Sequence, residues 1–344
     1  MTERSQSTAR KALFLAGVAI LAAVFWAVGW RSVAANLRAI GGWFLALAAL
    51  YALAQLAFAR GWWCLIGGGP RRISFRRLFA VYLAGDSINA IGPANVAGEP
   101  VKAQMLRDDL GGAAAVASLT IHKHADILAQ SVFLAAGVAA AWVSFPLPLA
   151  VRIAAAASVA GLAGFVLLMT WALRKGSYSP ILRWLCRWRF LAVRIQKLLA
   201  PAEALDARIQ GYYGSGARRF WEAAAWCLLG WCGGALETYI VVRLLAPGRG
   251  WPTAIAIEAL AMALNNMLLF VPGRLGTAEG VRVGAFLLVG LSAPQGAAYA
   301  LVRRARELVW ALPGLVVLLR THTARLGRRG IPEIAPAASR ELSR

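Results

Sequence analysis

Glu99 with Lys102 and Glu279 with Arg282 repeat one arrangement in the two halves of the chain. Each pair closes a glycine- and proline-broken segment. The first is INAIGPANVAGEPVKA (88–103), broken at Gly92, Pro93 and Gly98; the second is FVPGRLGTAEGVRV (270–283), broken at Pro272, Gly273 and Gly276. A carboxylate at the start of a half-helix meets backbone N–H groups that carry positive partial charge. There it can cap the helix, or bind a proton or a headgroup amine. The cation one turn later either pairs with it at i,i+3 or holds a lipid phosphate through charge-assisted hydrogen bonds.

Further charges interrupt apolar runs elsewhere. His122 and Asp126 lie four apart and share a helix face, with Lys123 and His124 expected to point elsewhere. Two such groups suit a hydrogen-bonded or proton-relay pair, and no metal is expected because a metal needs more convergent ligands. Arg303, Arg304, Arg306 and Glu307 sit within the last apolar run, where Arg303 and Glu307 have i,i+4 spacing. They read equally as an intramembrane salt bridge or as a substrate-phosphate site. Asp86, Glu237 and Glu258 are single charges in apolar runs, expected to be buried partners of these arginines.

The elements that position these groups belong in a bilayer. Of 344 residues, 60% are hydrophobic and 14 are Trp, and several apolar runs approach 20 residues, the length that crosses a hydrocarbon core. Full spans are expected at about 12–30, 40–66, 112–144, 149–173, 219–246 and 295–320. The net charge of +22 does not indicate nucleic acid, because the basic residues cluster in the gaps between apolar runs, as the positive-inside rule requires. The head (1–11), the Arg71, Arg72, Arg76, Arg77 cluster, the stretch from Arg174 to Lys197 and the basic tail (321–344) all fall on one side if the two broken segments do not cross. Six spans then place both termini in the cytoplasm of a bacterial-type inner membrane.

The broken segments are expected to be re-entrant hairpins entering from opposite faces, which gives the halves inverted topology. Non-helical backbone at bilayer depth persists only where protein or a watery cavity satisfies it, and paired breaks of this kind mark transport sites. The fold expected is an all-α polytopic membrane protein of about six spans plus two re-entrant hairpins, forming a single transmembrane domain over 12–320.

The order and spacing of three motifs resemble the lysylphosphatidylglycerol synthase transmembrane-domain family, also described as flippase-like membrane proteins. GPANVAGEPVKAQMLR is similar to that family's first signature, VPGRLGTAEG to its second, and RRARELVWALPGLVVLL to its last span. The likeness runs over most of residues 10–320 and looks closest to the branch associated with hopanoid biosynthesis. Two positions depart from the pattern: Ala97 replaces a frequent second glycine, and HKHAD replaces an arginine-containing stretch. The resemblance implies a lipid-handling membrane protein whose fused relatives flip an aminoacylated phospholipid made by a C-terminal soluble synthase. With only a short tail after the last run, this chain is not expected to carry that synthase activity.

Residues 181–199 place Arg183, Arg187, Arg194 and Lys197 on one stripe opposite Ile181, Trp184, Leu185 and Trp188, the pattern of an interfacial helix on anionic lipid. Gly230 and Gly234 have the spacing that lets helices approach closely. Cys64, Cys186, Cys227 and Cys232 form no CxxC pair, and neither disulfides nor a metal is expected of them. No P-loop, Rossmann fingerprint, G-x-S-x-G or H-E-x-x-H motif occurs. The function expected is a lipid transporter for a phospholipid, glycolipid or hopanoid-type lipid, with no cofactor and with proton coupling available to it. The competing readings are a non-transporting accessory subunit of lipid-synthesis enzymes and an intramembrane lipid transferase. Expected partners are anionic or phosphate-bearing lipids, lipid-biosynthesis enzymes and further copies of the chain.

Overall fold

The computed structural model describes residues 30–66, 73–91, 97–186, 189–214, 216–267 and 276–329. Among them every regular element is an α-helix. The expected span 12–30 up to Trp30, the breaks at Gly92, Pro93, Pro272 and Gly273, Arg71 and Arg72, and the basic head lie outside the described residues, as do tail residues from 330 onward.

After a short helix, α1 (Trp30–Ile40), the chain runs through α2 (Trp43–Leu65), α3 (Phe75–Ile91), α4 (Glu99–Leu110) and α5 (Gly112–Ser144). A middle section follows, α6 (Leu149–Lys175), α7 (Tyr178–Leu185) and α8 (Arg189–Gly214). The last part is α9 (Ala217–Leu245), α10 (Trp251–Met267), α11 (Thr277–Leu288) and α12 (Ala293–Arg329). Helices α2, α5, α6 and α9 are long and apolar enough to cross a membrane, and among the polar residues of α2, α5 and α9 that interrupt their apolar runs, Gln55, His122, Lys123, Asp126 and Glu237 turn toward the interior cavity. Their outward side chains remain apolar, as with Leu167, Leu168 and Trp171 on α6, which suits contact with lipid tails. The expected last span lies inside α12, whose 37 residues would reach about 55 Å at 1.5 Å per residue. Its centre carries Arg303, Arg304, Arg306 and Glu307.

The two broken segments fold alike. In each, a 17-residue helix (α3, α10) is followed across the break by a 12-residue helix (α4, α11). At 1.5 Å per residue these arms measure about 26 Å and 18 Å, each short of a hydrocarbon core of about 30 Å. Each second arm leads into a long helix (α5, α12) past a positive-φ glycine, Gly111 at 83° and Gly290 at 77°. Packing repeats too. Helices α2 and α9 pack on each other, α3 packs on α12, and α10 packs on α5, so each first arm lies on the long helix of the other half.

Glycines on the long helices permit both crossings. A Cβ at Gly314 of α12 would strike Ser87 and Leu83 of α3, and one at Gly137 of α5 would come within 2.6 Å of Ala259 on α10. Of the expected glycine pair on α9, Gly230 faces the Phe58 ring of α2, whereas Gly234 faces Arg303 and Glu258.

The single amphipathic helix expected over 181–199 is instead divided. Helix α7 ends at Leu185, and α8 starts at Arg189 and continues to Gly214. The two pack together, and the Asp206 carboxylate ties them by accepting the N–H groups of Tyr178 (3.1 Å) and Ser179 (2.8 Å) at the start of α7. A buried carboxylate on those otherwise unbonded N–H groups fixes the start of α7 against α8, a tie that the wheel pattern did not reveal. Arg187 and the side chains of Arg194 and Lys197 lie outside the described part.

Candidate functional site

Each second arm begins with its own polar clamp. At the start of α4, the Gly98 N–H donates to Asn89 Oδ1 (2.7 Å), and Asn89 Nδ2 donates to Glu99 Oε1 (3.2 Å). Lys102 Nζ donates to the same Glu99 oxygen at 3.0 Å and lies 4.6 Å from the centre of the Tyr82 ring. Lys102 is buried, so its charge is balanced locally by Glu99. At the start of α11 the glutamate itself caps: Glu279 Oε2 accepts the Gly276 N–H (2.8 Å), the N3 half of a capping box, with no N-cap side chain to return it because residue 276 is glycine. Its other oxygen takes a two-pronged contact from Arg304, 2.9 Å from Nε and 2.7 Å from Nη2. Glu99 is therefore the first residue of its helix and Glu279 the third. The sequence repeat does not make them equivalent, because Asn89 takes the capping role in the first broken segment.

The charges of α12 pair across the fold. Arg306 Nε donates to Glu237 of α9 at 2.5 Å with both side chains almost fully buried, and its guanidinium lies 3.8 Å from the Tyr51 ring centre. Arg303 donates to Glu258 of α10, whose carboxylate also accepts the hydroxyls of Thr238 (2.5 Å) and Tyr299 (2.6 Å). Glu307 meets Arg304 at 3.3 Å and Arg282 at 3.9 Å. Two expected pairs are thereby corrected. Arg303 takes Glu258 rather than Glu307, because the α10 carboxylate faces it at the cavity wall that both line. Arg282 reaches toward Glu307 rather than Glu279, which is held by Gly276 and Arg304. Glu237 and Glu258 are arginine partners as expected, but Asp86 is not: its contact is with Gln55 Nε2, at 2.5 Å.

On α5 the expected His122 and Asp126 pair is also replaced. His122 Nε2 lies 3.0 Å from the Phe58 carbonyl and therefore carries the proton, while the ring stacks on Trp62. Asp126 instead accepts Lys123 Nζ (2.9 Å) and Trp231 Nε1 (3.1 Å). Lys123 thus shares the site face instead of pointing away. His124 turns to the other side of α5 and bonds Tyr213 of α8 (2.5 Å) and Thr170 of α6 (2.9 Å), a buried structural histidine. The four cysteines are free thiols.

One cavity of about 690 Å3 collects these groups between the halves. Its wall includes Glu99, Lys102, His122, Asp126, Arg282, Arg303, Arg304 and Glu307, all singled out from sequence, while Glu279 braces it from behind through Arg304. Asp86, Gln55, Tyr51, Lys123, Glu237 and Glu258 also line it. Gln55, a lone amide in an apolar run, was the available sequence signal for the α2 contribution. The i,i+3 spacing of Lys123 and Asp126 was the signal for their pair. The arrangement can bind a charged group, since ion pairs and the polar side chains beside them open onto a common space.

A family model described as "Lysylphosphatidylglycerol synthase TM region" matches residues 13–314. The chain belongs to this family. Both broken segments and all of the cavity-lining residues fall inside the matched range. A search of curated proteins and a search of solved structures each found no match. The chain is accordingly a multi-pass membrane protein of the lysylphosphatidylglycerol synthase transmembrane family, all-helical in its described residues, with a lipid-related role.

Proposed function

We propose that this protein moves a phosphate-bearing lipid between membrane leaflets, with the headgroup passing through the charged cavity and the acyl chains remaining in the bilayer. The observation that supports the reading is the meeting of two matched pairs of short helices at one cavity lined by ion pairs, each pair read as a re-entrant hairpin. In this reading the halves have inverted topology and rock about the α2 and α9 contact, exposing the cavity to each side in turn. Lys102 and Arg282 contact the lipid phosphate in alternate states of the cycle. Lysylphosphatidylglycerol-type lipids are candidate cargo by the family's name, and glycolipids and hopanoid-type lipids fit the same chemistry where they carry a charged head. The α7 and α8 pair rests on an anionic inner leaflet, and lipid-biosynthesis enzymes and further copies of the chain are its proposed partners.

The test is exchange of fluorescent phosphatidylglycerol between leaflets of vesicles containing the purified protein. Exchange of chemically unchanged lipid is expected. A folded protein that exchanges none overturns the reading in favour of an accessory subunit, and exchange with covalent change of the lipid points to a transferase.

Topology makes a separate expectation: both termini and the α6–α7 turn face the cytoplasm, because Arg174 and Lys175 end α6. On a background with the native cysteines replaced by serine, Pro146→Cys should react with an impermeant thiol reagent from outside, and Tyr178→Cys only after the membrane is opened. External labelling at 178 would invert the assignment.

A further inference from the structure

We propose that Asp86 is a proton-binding site, the group through which the cavity takes up and releases one proton. Every other carboxylate on the cavity wall has a cation within ion-pair distance: Glu99 has Lys102, Asp126 has Lys123, Glu237 has Arg306, Glu258 has Arg303, and Glu307 has Arg304. Among the described residues no Lys, Arg or His nitrogen lies within 4.0 Å of Asp86, whose hydrogen-bond donor is the neutral Gln55 amide. A carboxylate at bilayer depth with only a neutral partner is relieved of its desolvation cost by accepting a proton, whereas its paired neighbours are relieved by their cations.

The surrounding charge points the same way. Counting Glu279 through its contact with Arg304, the cavity groups comprise seven carboxylates and six Lys or Arg side chains. The cluster therefore has one anion in excess, and a single proton brings it to neutrality. The charged and titratable groups facing Asp86 are Tyr51 from α2, Tyr82 from α3, Glu99 and Lys102 from α4, and Glu307 from α12. Lys102 is the cation among them, and its ammonium is already taken by Glu99. The proton enters from bulk water on the side to which the cavity opens, bonds to an Asp86 carboxylate oxygen, and returns to bulk water when it leaves. Asp86 lies on the first arm of the first hairpin, which packs against α12 of the other half, so loss and gain of its charge acts on the contact between halves. That last step rests on the transport reading; the proton site does not.

The experiment is infrared titration of the purified protein, following the C=O stretch of a protonated carboxyl shielded from water. One band that appears as pH falls is expected, present in Glu307→Gln, absent from Asp86→Asn, and moved to lower pH in Glu99→Gln, which frees Lys102 to face Asp86. Gln55→Ala removes the bond that favours the ionised form and should make the band appear about 1–2 pH units higher. If Asp86→Asn does not fold, Asp86→Glu serves instead and should displace the band in frequency. A band that persists unchanged in Asp86→Asn, or that vanishes in Glu307→Gln, overturns the assignment. In vesicles, an imposed pH gradient should accelerate lipid exchange by the wild type and leave the rate of Asp86→Asn unaltered; a retained gradient response overturns the coupling role. Loss of the band in Asp86→Asn without lipid exchange by either protein would support the proton site and sink the transport reading alone.

Discussion

Glu237→Ala is expected to destabilise the purified protein by about 3–5 kcal/mol, the cost of stranding one member of a buried ion pair. Glu237 and Arg306 are each almost wholly enclosed and meet at 2.5 Å, and Arg306 Nη1 already has no hydrogen-bond partner among the described residues. With the carboxylate gone, the guanidinium, only 1% exposed, would keep little besides the Tyr51 ring, 3.8 Å from its centre. Stacking on an aromatic face contributes about 2 kcal/mol when desolvated, too little to hold an unpaired charge there. The double variant Glu237→Leu, Arg306→Met removes both charges and should recover most of the loss, since apolar replacement of a complete pair is often neutral or stabilising. Thermal unfolding in detergent reads both effects. A single variant as stable as the wild type would mean that Arg306 finds another anion and that the pair does not join α9 to α12.

The largest expected functional effect is at the first hairpin. Glu99→Gln should slow lipid exchange by roughly 10- to 100-fold, the equivalent of one charge-assisted hydrogen bond, and should lower the melting temperature less than Glu237→Ala does, because Asp86 remains as a countercharge facing the buried Lys102. Glutamine can still accept the Asn89 amide, so the hairpin keeps its shape. What changes is the charge on a side chain that faces the cavity and balances the buried Lys102. Glu279→Gln should behave differently, lowering stability at least as much as exchange, because Glu279 is buried and holds both the Gly276 N–H and Arg304. Parallel exchange and melting measurements on the two variants decide the point. Equal stability loss in both would make Glu99 a helix cap like its counterpart, and full exchange activity in both would move the accessory-subunit reading ahead.

Sequence by itself determined the medium, the helices and the two breaks. Spans 112–144, 149–173 and 219–246 were legible to within two residues at each end because apolar length and chain-breaking Gly and Pro act locally, along a few turns of backbone. The repeat of Glu99 and Lys102 by Glu279 and Arg282 was visible for the same reason, and the pair at i,i+3 in the first hairpin formed as its spacing predicted. The tertiary structure decided who pairs with whom elsewhere. Arg303 has Glu307 four residues along its own helix, yet takes Glu258 from α10; Arg282 passes over Glu279 for Glu307. The physical reason is that helix spacing fixes only which side chains share a face, whereas an ion pair in a low-dielectric interior goes to whichever opposite charge is brought closest with its remaining hydrogen bonds satisfied. That depends on where the helices cross, here at Gly137 and Gly314. The same packing leaves Asp86, one acidic residue among several in the sequence, with Gln55 and, among the described residues, no cation within ion-pair distance.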